Sequence, residues 1–136
     1  MKVKQQRLIS PQAKAALMRA LPTANFGWDY IESIMRGEQP DARMGTVWNV
    51  GNLCWVFTIV NLDDEIEVLL AGGRKARECV APWLQAMLQE PAHRAMTIRV
   101  DGRKGWSRLL PNFERRDDVL YLKVPDGQET HKNYSD

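Results

Sequence analysis

Along this chain the apolar residues fall first at helical spacing, then at strand spacing, then alternate between the two. Ala13, Ala16, Leu17, Ala20 and Leu21 line one face of a helix. Ser10 sits where an N-cap is wanted, and Pro11 takes the first helical position, where its missing N–H costs nothing. Pro22 stops that helix, and Asn25-Phe26-Gly27 turns the chain. A second helix is predicted from Trp28 to about Arg36, turning Tyr30, Ile31, Ile34 and Met35 inward, with Gly37 as its stop. Glu38 to Gly45 reads as a loop.

From Thr46 the period shortens. Thr46 to Val50, a Gly51-Asn52 turn, Leu53 to Val60, an Asp63-Asp64 turn and Glu65 to Leu70 predict a three-stranded antiparallel meander. The second strand is apolar on both faces and should be central, covered on both sides. After Ala71-Gly72-Gly73, the residues Val80, Trp83, Leu84, Met87 and Leu88 make a helical stripe. Pro82 interrupts it, which predicts either a kink near Glu78 or a regular helix that begins only around Cys79. Pro91 ends the element. Ala95 to Val100 is then a strand that should run parallel to Glu65–Leu70 through a right-handed crossover. A short helix ending at Leu110, a Pro111-Asn112 turn and a closing strand pair complete the pattern. The organisation expected is one domain over residues 1–124 and a polar C-terminal tail over 125–136, a tail too poor in apolar residues to order itself without a second chain.

Composition narrows the classes only modestly. With 136 residues, 44% hydrophobic and 26% charged, the chain can bury one core without disulfides or a metal. A net charge of +2 is too small to make nucleic acid an obligatory partner. The basic residues Arg99, Arg103, Lys104, Arg108, Arg115 and Arg116 are interleaved with Asp101, Glu114, Asp117 and Asp118, unlike a phosphate-binding stripe. Cys54 and Cys79 lack metal-ligand or CxxC spacing and read as buried free thiols of a reducing cytoplasm. No metal site is expected. No apolar run is long enough to span a bilayer, and the first residues are not followed by a signal-peptide core. His93 and His131, one in a turn and one in the tail, do not suggest a nucleophilic triad. Of the five tryptophans, Trp55 and Trp83 fit core positions, whereas Trp28, Trp48 and Trp106 are expected to be partly exposed contact anchors.

The element order, with Leu70-Ala71-Gly72-Gly73, Trp83-Leu84 and Gly102-Arg103-Lys104-Gly105-Trp106-Ser107-Arg108-Leu109-Leu110, resembles the GNAT (N-acetyltransferase) superfamily. More narrowly, it is similar to the small GNAT-like proteins encoded by tailed bacteriophages. The resemblance covers about Thr46 to Val124. It implies an α/β (α+β) fold in which an antiparallel meander leads into a β-α-β crossover, with two N-terminal helices and a cleft where the parallel strands splay.

The resemblance also implies a place for a cofactor. In the superfamily, the loop after the third meander strand holds the pyrophosphate of acetyl-CoA on backbone N–H groups at a helix start. Gly72, Gly73, Arg74 and Lys75 stand there in this chain, the glycines adjacent rather than spaced. Glu65 and Glu67 lie on the strand that would supply a base. The helix on which the superfamily often places an acidic tyrosine has none here, and Tyr121 lies on the last strand instead. The function implied is therefore a noncatalytic phage virion, tail or assembly protein that keeps the scaffold as an interaction module and needs no cofactor. The alternative is an acetyl-CoA-dependent N-acetyltransferase acting on a host or phage amine. Other phage structural proteins, or a second copy of the chain, would be the partners, and the virion or host cytoplasm the location.

Overall fold

The computed structural model describes residues 1–101 and 106–126, except the side chains of Trp106 and Ser107. It is an α+β fold: a seven-stranded mixed sheet, mostly antiparallel, with one parallel pair and helices on both faces. The elements are β1 (Val3–Gln6), α1 (Pro11–Ala20), α2 (Trp28–Met35), β2 (Ala42–Val50), β3 (Cys54–Asn61), β4 (Glu65–Gly73), α3 (Ala76–Gln89), β5 (Thr97–Asp101), α4 (Trp106–Leu109), β6 (Glu114–Arg116) and β7 (Val119–Lys123). The strands lie in the order β1-β2-β3-β4-β5-β7-β6. Among the described strands only β4 and β5 are parallel, as the strand, crossover helix and strand predict.

Strict alternation along β3 divides the core in two. Cys54 and Val56 face α3, in a layer with Trp48, Ile66, Val68, Trp83, Met87, Ile98 and Val100. Trp55, Phe57 and Ile59 face α1 and α2, in a layer with Ala13, Leu17, Ile31, Ile34, Val47 and Leu70. β3 is thus buried on both faces, as its apolar run requires. The meander turns use the chemistry expected of them. Gly51 and Asn52 both have positive φ, and Leu53 N–H closes the turn on Val50 C=O at 3.0 Å, which suits the right-handed twist of a hairpin. At the start of α1, Ser10 Oγ accepts from Ala13 N–H at 3.1 Å.

Several boundaries differ from the sequence expectation. β1 was not anticipated: Val3-Lys4-Gln5-Gln6 is a mostly polar edge strand paired with β2, so it carries no apolar alternation. β2 begins at Ala42, inside the expected loop, because a register shift between Arg43 and Thr46 breaks the period there. β4 runs on to Gly73 against β3. α3 is helical from Ala76 through Pro82, so it neither waits for Cys79 nor breaks at the proline. Pro82 forgoes one bond to the Glu78 carbonyl, within a helix held by packing of Cys79, Trp83 and Met87. Trp48, expected to be partly exposed, is buried under His93, with Nε1–H donating to Thr58 Oγ1 at 2.9 Å. Gly102 to Gly105 of the short helix motif, and the tail from Gly127 to Asp136, lie outside the described residues.

Candidate functional site

Two features of β4 open the sheet. Among the described residues its ladder with β5 pairs Glu65 with Thr97 through Val68 with Val100 and goes no further, although β4 continues to Gly73 beside β3 and β5 continues to Asp101 beside β7. The parallel strands therefore part at their carboxyl ends. The second feature is a bulge: Thr58 pairs with Val68 and Phe57 with Leu70, leaving Leu69 without a register partner on either side. The extra residue also switches parity, so that Ile66 and Val68 face α3 while Leu70 faces α1.

The parted strands leave a cleft of about 660 Å³ on the face of α1 and α2. Glu67 through Ala71, Val100 and Asp101 form its sheet side, and Ala24, Phe26 and Tyr30 form its outer wall. On the α3 face a smaller, mostly apolar groove of about 210 Å³ runs past Gly72, Gly73, Ala76, Val80 and Leu109. Ala71 lines both. One strand end thus borders two openings on opposite faces of the sheet.

Two carboxylates line the cleft: Asp101, which is paired with Arg99, and Glu67, which the turn before β4 holds. Asn61 Oδ1 accepts from the N–H groups of Asp63 and Glu65, at 3.0 and 2.9 Å, an Asx-type arrangement that fixes the buried amide. Its Nδ2 then donates to Glu65 Oε1 at 3.1 Å and Glu67 Oε1 at 3.3 Å. Arg99 reaches Glu65 at 3.8 Å and Asp101 at 3.3 Å, which leaves Glu67 without an ion pair among the described residues. Glu67 therefore keeps lone pairs for a ligand. Tyr30 lines the same cleft, stacked in a tilted pair with Phe26 at 5.3 Å. Burial, then the negative charges of Asp41 and Glu67, push its phenol above the ordinary tyrosine value, so it carries its proton at neutral pH. Tyr121, in register with Arg99 on β7, lies under the guanidinium of Arg116 at 4.5 Å.

Gly72, Gly73, Arg74 and Lys75 join β4 to α3. The two glycines are explained by packing. A Cβ on Gly72 would collide with the Ala16 carbonyl of α1, and one on Gly73, where φ is +135°, with the Leu53 carbonyl. Arg74 N–H donates to Leu53 C=O at 2.8 Å and so is unavailable to a phosphate. Lys75 adopts the left-handed conformation before the first turn of α3. The N–H groups of Ala76 and Arg77, like those of any first helical turn, have no intrahelical acceptor. The side chains of Arg74, Lys75 and Arg77 are exposed and make no ion pair among the described residues. A compact anionic group could therefore lie at this corner, held by side chains and the α3 terminus rather than by the glycine backbone.

Sequence reasoning named Glu65, Glu67 and the glycine corner. It missed Asn61 and Tyr30 as site residues, and it missed the bulge, whose one visible trace is the Leu69-Leu70 doublet breaking the alternation of Glu65 to Val68. The basic residues of the C-terminal part are largely neutralised: Arg99 by Asp101, Arg115 by Asp118 and Arg116 by Glu114. Among the described residues no group of acidic, histidine or cysteine side chains is arranged to hold a metal, and no helix is long and apolar enough to cross a membrane. No family model matches the chain, and no curated protein or solved structure matches it.

Proposed function

We propose that this chain is a GNAT-like N-acyltransferase, taking an acyl group from acetyl-CoA or a close acyl-CoA and passing it to an amine. The observation that carries the reading is the parted β4–β5 pair, with a carboxylate on one face and a narrow apolar groove beside a basic helix start on the other. In this reading the pantetheine arm lies in the groove by Ala76, Val80 and Leu109, and its phosphates meet Arg74, Lys75 and the first N–H groups of α3. The amine enters from the side of Phe26 and Tyr30. Glu67 takes the amine's proton, directly or through one water. The nitrogen attacks the thioester carbonyl, whose oxygen gains charge beside the bulge at Leu69. The C–S bond then breaks, and the thiolate takes a proton from Tyr30, the phenol that stands in for the tyrosine missing from the α4 sequence.

Incubation with acetyl-CoA and a panel of primary amines tests this, read as free CoA thiol and as acylated product by mass. Glu67→Gln should lower turnover about 10²- to 10⁴-fold, the span of general-base catalysis, and leave acetyl-CoA binding intact. An unchanged rate would remove Glu67 from the mechanism.

One observation favours a second reading, a noncatalytic phage virion, tail or assembly module. The corner glycines are committed to packing and the Arg74 N–H to Leu53, so little of the backbone cradle is free. Mass spectrometry of purified phage particles separates the two: stoichiometric presence of the chain supports the module, and absence supports the enzyme.

A further inference from the structure

We propose that Cys54 and Cys79 form a redox-active dithiol that closes to an intramolecular disulfide joining β3 to the first turn of α3. Their sequence spacing gives no hint of a pair, yet the fold brings the two thiols to one acceptor. Cys54 Sγ donates to the Arg74 carbonyl at 2.7 Å, and Cys79 Sγ reaches the same oxygen at 3.7 Å. Both are free, and both line the groove beside Gly72 and Gly73, which gives a small oxidant a way in although each residue is buried. Burial, and then the hydrogen bond and charge of Cys79, push the Cys54 thiol up to about 12. Cys54 therefore holds its proton, and the proposal assigns the first attack to Cys79, in the first turn of α3.

With hydrogen peroxide as oxidant the atoms balance in two steps. Cys79 thiolate attacks one peroxide oxygen, the O–O bond breaks, and the departing hydroxide takes up the thiol proton as water, leaving a sulfenic acid. Cys54 then attacks that sulfur, the S–O bond breaks and a second water leaves. Two thiols lose two electrons, and one peroxide becomes two waters. The bond would tie β3 to α3 beside the loop at Arg74, whose carbonyl both sulfurs already contact. The proposal does not depend on the acyl-CoA reading.

The test is treatment of the reduced full chain with a slight excess of hydrogen peroxide, followed by intact mass and a nonreducing peptide map. The expected result is loss of two hydrogens, no free thiol, a Cys54–Cys79 cross-linked peptide in a monomer, and full reversal by dithiothreitol. Cys54→Ala should stop at the first step and leave a sulfenic acid on Cys79 that dimedone captures. The proposal is overturned if the wild-type chain gains oxygen on one sulfur while the other stays free, if it cross-links only between molecules, or if both thiols survive. The wild-type map decides even if the variant folds poorly.

Discussion

Gly72→Ala places one methyl group where β4 passes under α1, and its effect can be worked from the contact. The added Cβ meets the carbonyl oxygen and carbon of Ala16 and the nitrogen of Leu17, all backbone, so no flexible side chain can yield. Relief requires α1 to lift from the sheet, and α1 holds Ala13 and Leu17 fully buried against Trp55, Phe57 and Leu70. Overpacking of this kind costs roughly 1–3 kcal/mol. Unfolding entropy of about 2.1 cal/mol/K per residue gives roughly 0.29 kcal/mol/K for a chain of 136 residues, so the melting temperature should fall by about 3–10 °C. Thermal and urea unfolding followed by far-UV circular dichroism measure this, with the exposed Arg74→Ala as a comparison expected to change stability by less than about 0.5 kcal/mol. A Gly72→Ala protein within about 2 °C of wild type would refute the packing account and return the glycine to a ligand-binding role.

Two further outcomes follow from the core. Phe57 is fully buried at the centre of the α1–α2 layer, so Phe57→Ala should cost about 3–5 kcal/mol in urea unfolding, and a loss under about 1 kcal/mol would contradict its placement. The folded state holds the Cys54 proton more tightly than the unfolded chain does, so stability should be whole below pH 9 and decline as pH rises toward about 12. Cys54→Ala should flatten that decline in urea midpoints taken across the range, and an equally steep decline in the variant would remove Cys54 as its cause.

The parts of the fold legible in the sequence are those with strong local signals. Ser10-Pro11, Gly51-Asn52 and the two-sided apolar run of β3 each say what the backbone does nearby. The parts missed depend on partners distant in sequence. β1 is polar because it lies at the sheet edge, and only the register with Val47 to Val50 makes it a strand. Trp48 reads as a contact anchor until His93, from the turn after α3, is found packed on it. At the site, Glu67 was visible as an alternate residue of a strand, but its orientation comes from Asn61, the last residue of β3, whose amide is fixed by Asp63 and Glu65 N–H groups. The meeting of Cys54 and Cys79 follows from α3 packing on β3, which no spacing rule encodes.

Calorimetric titration of the chain with acetyl-CoA tests the central claim most directly, because both the groove on the α3 face and the basic corner must work for it to bind. The account predicts one site with a dissociation constant on the order of 10 µM, about −7 kcal/mol. At about 1 mM ligand that affinity adds roughly 2.7 kcal/mol to stability, and Arg74→Ala combined with Lys75→Ala should remove most of it. No heat of binding and no thermal shift at that concentration would contradict the enzyme and leave the interaction module as the reading to pursue.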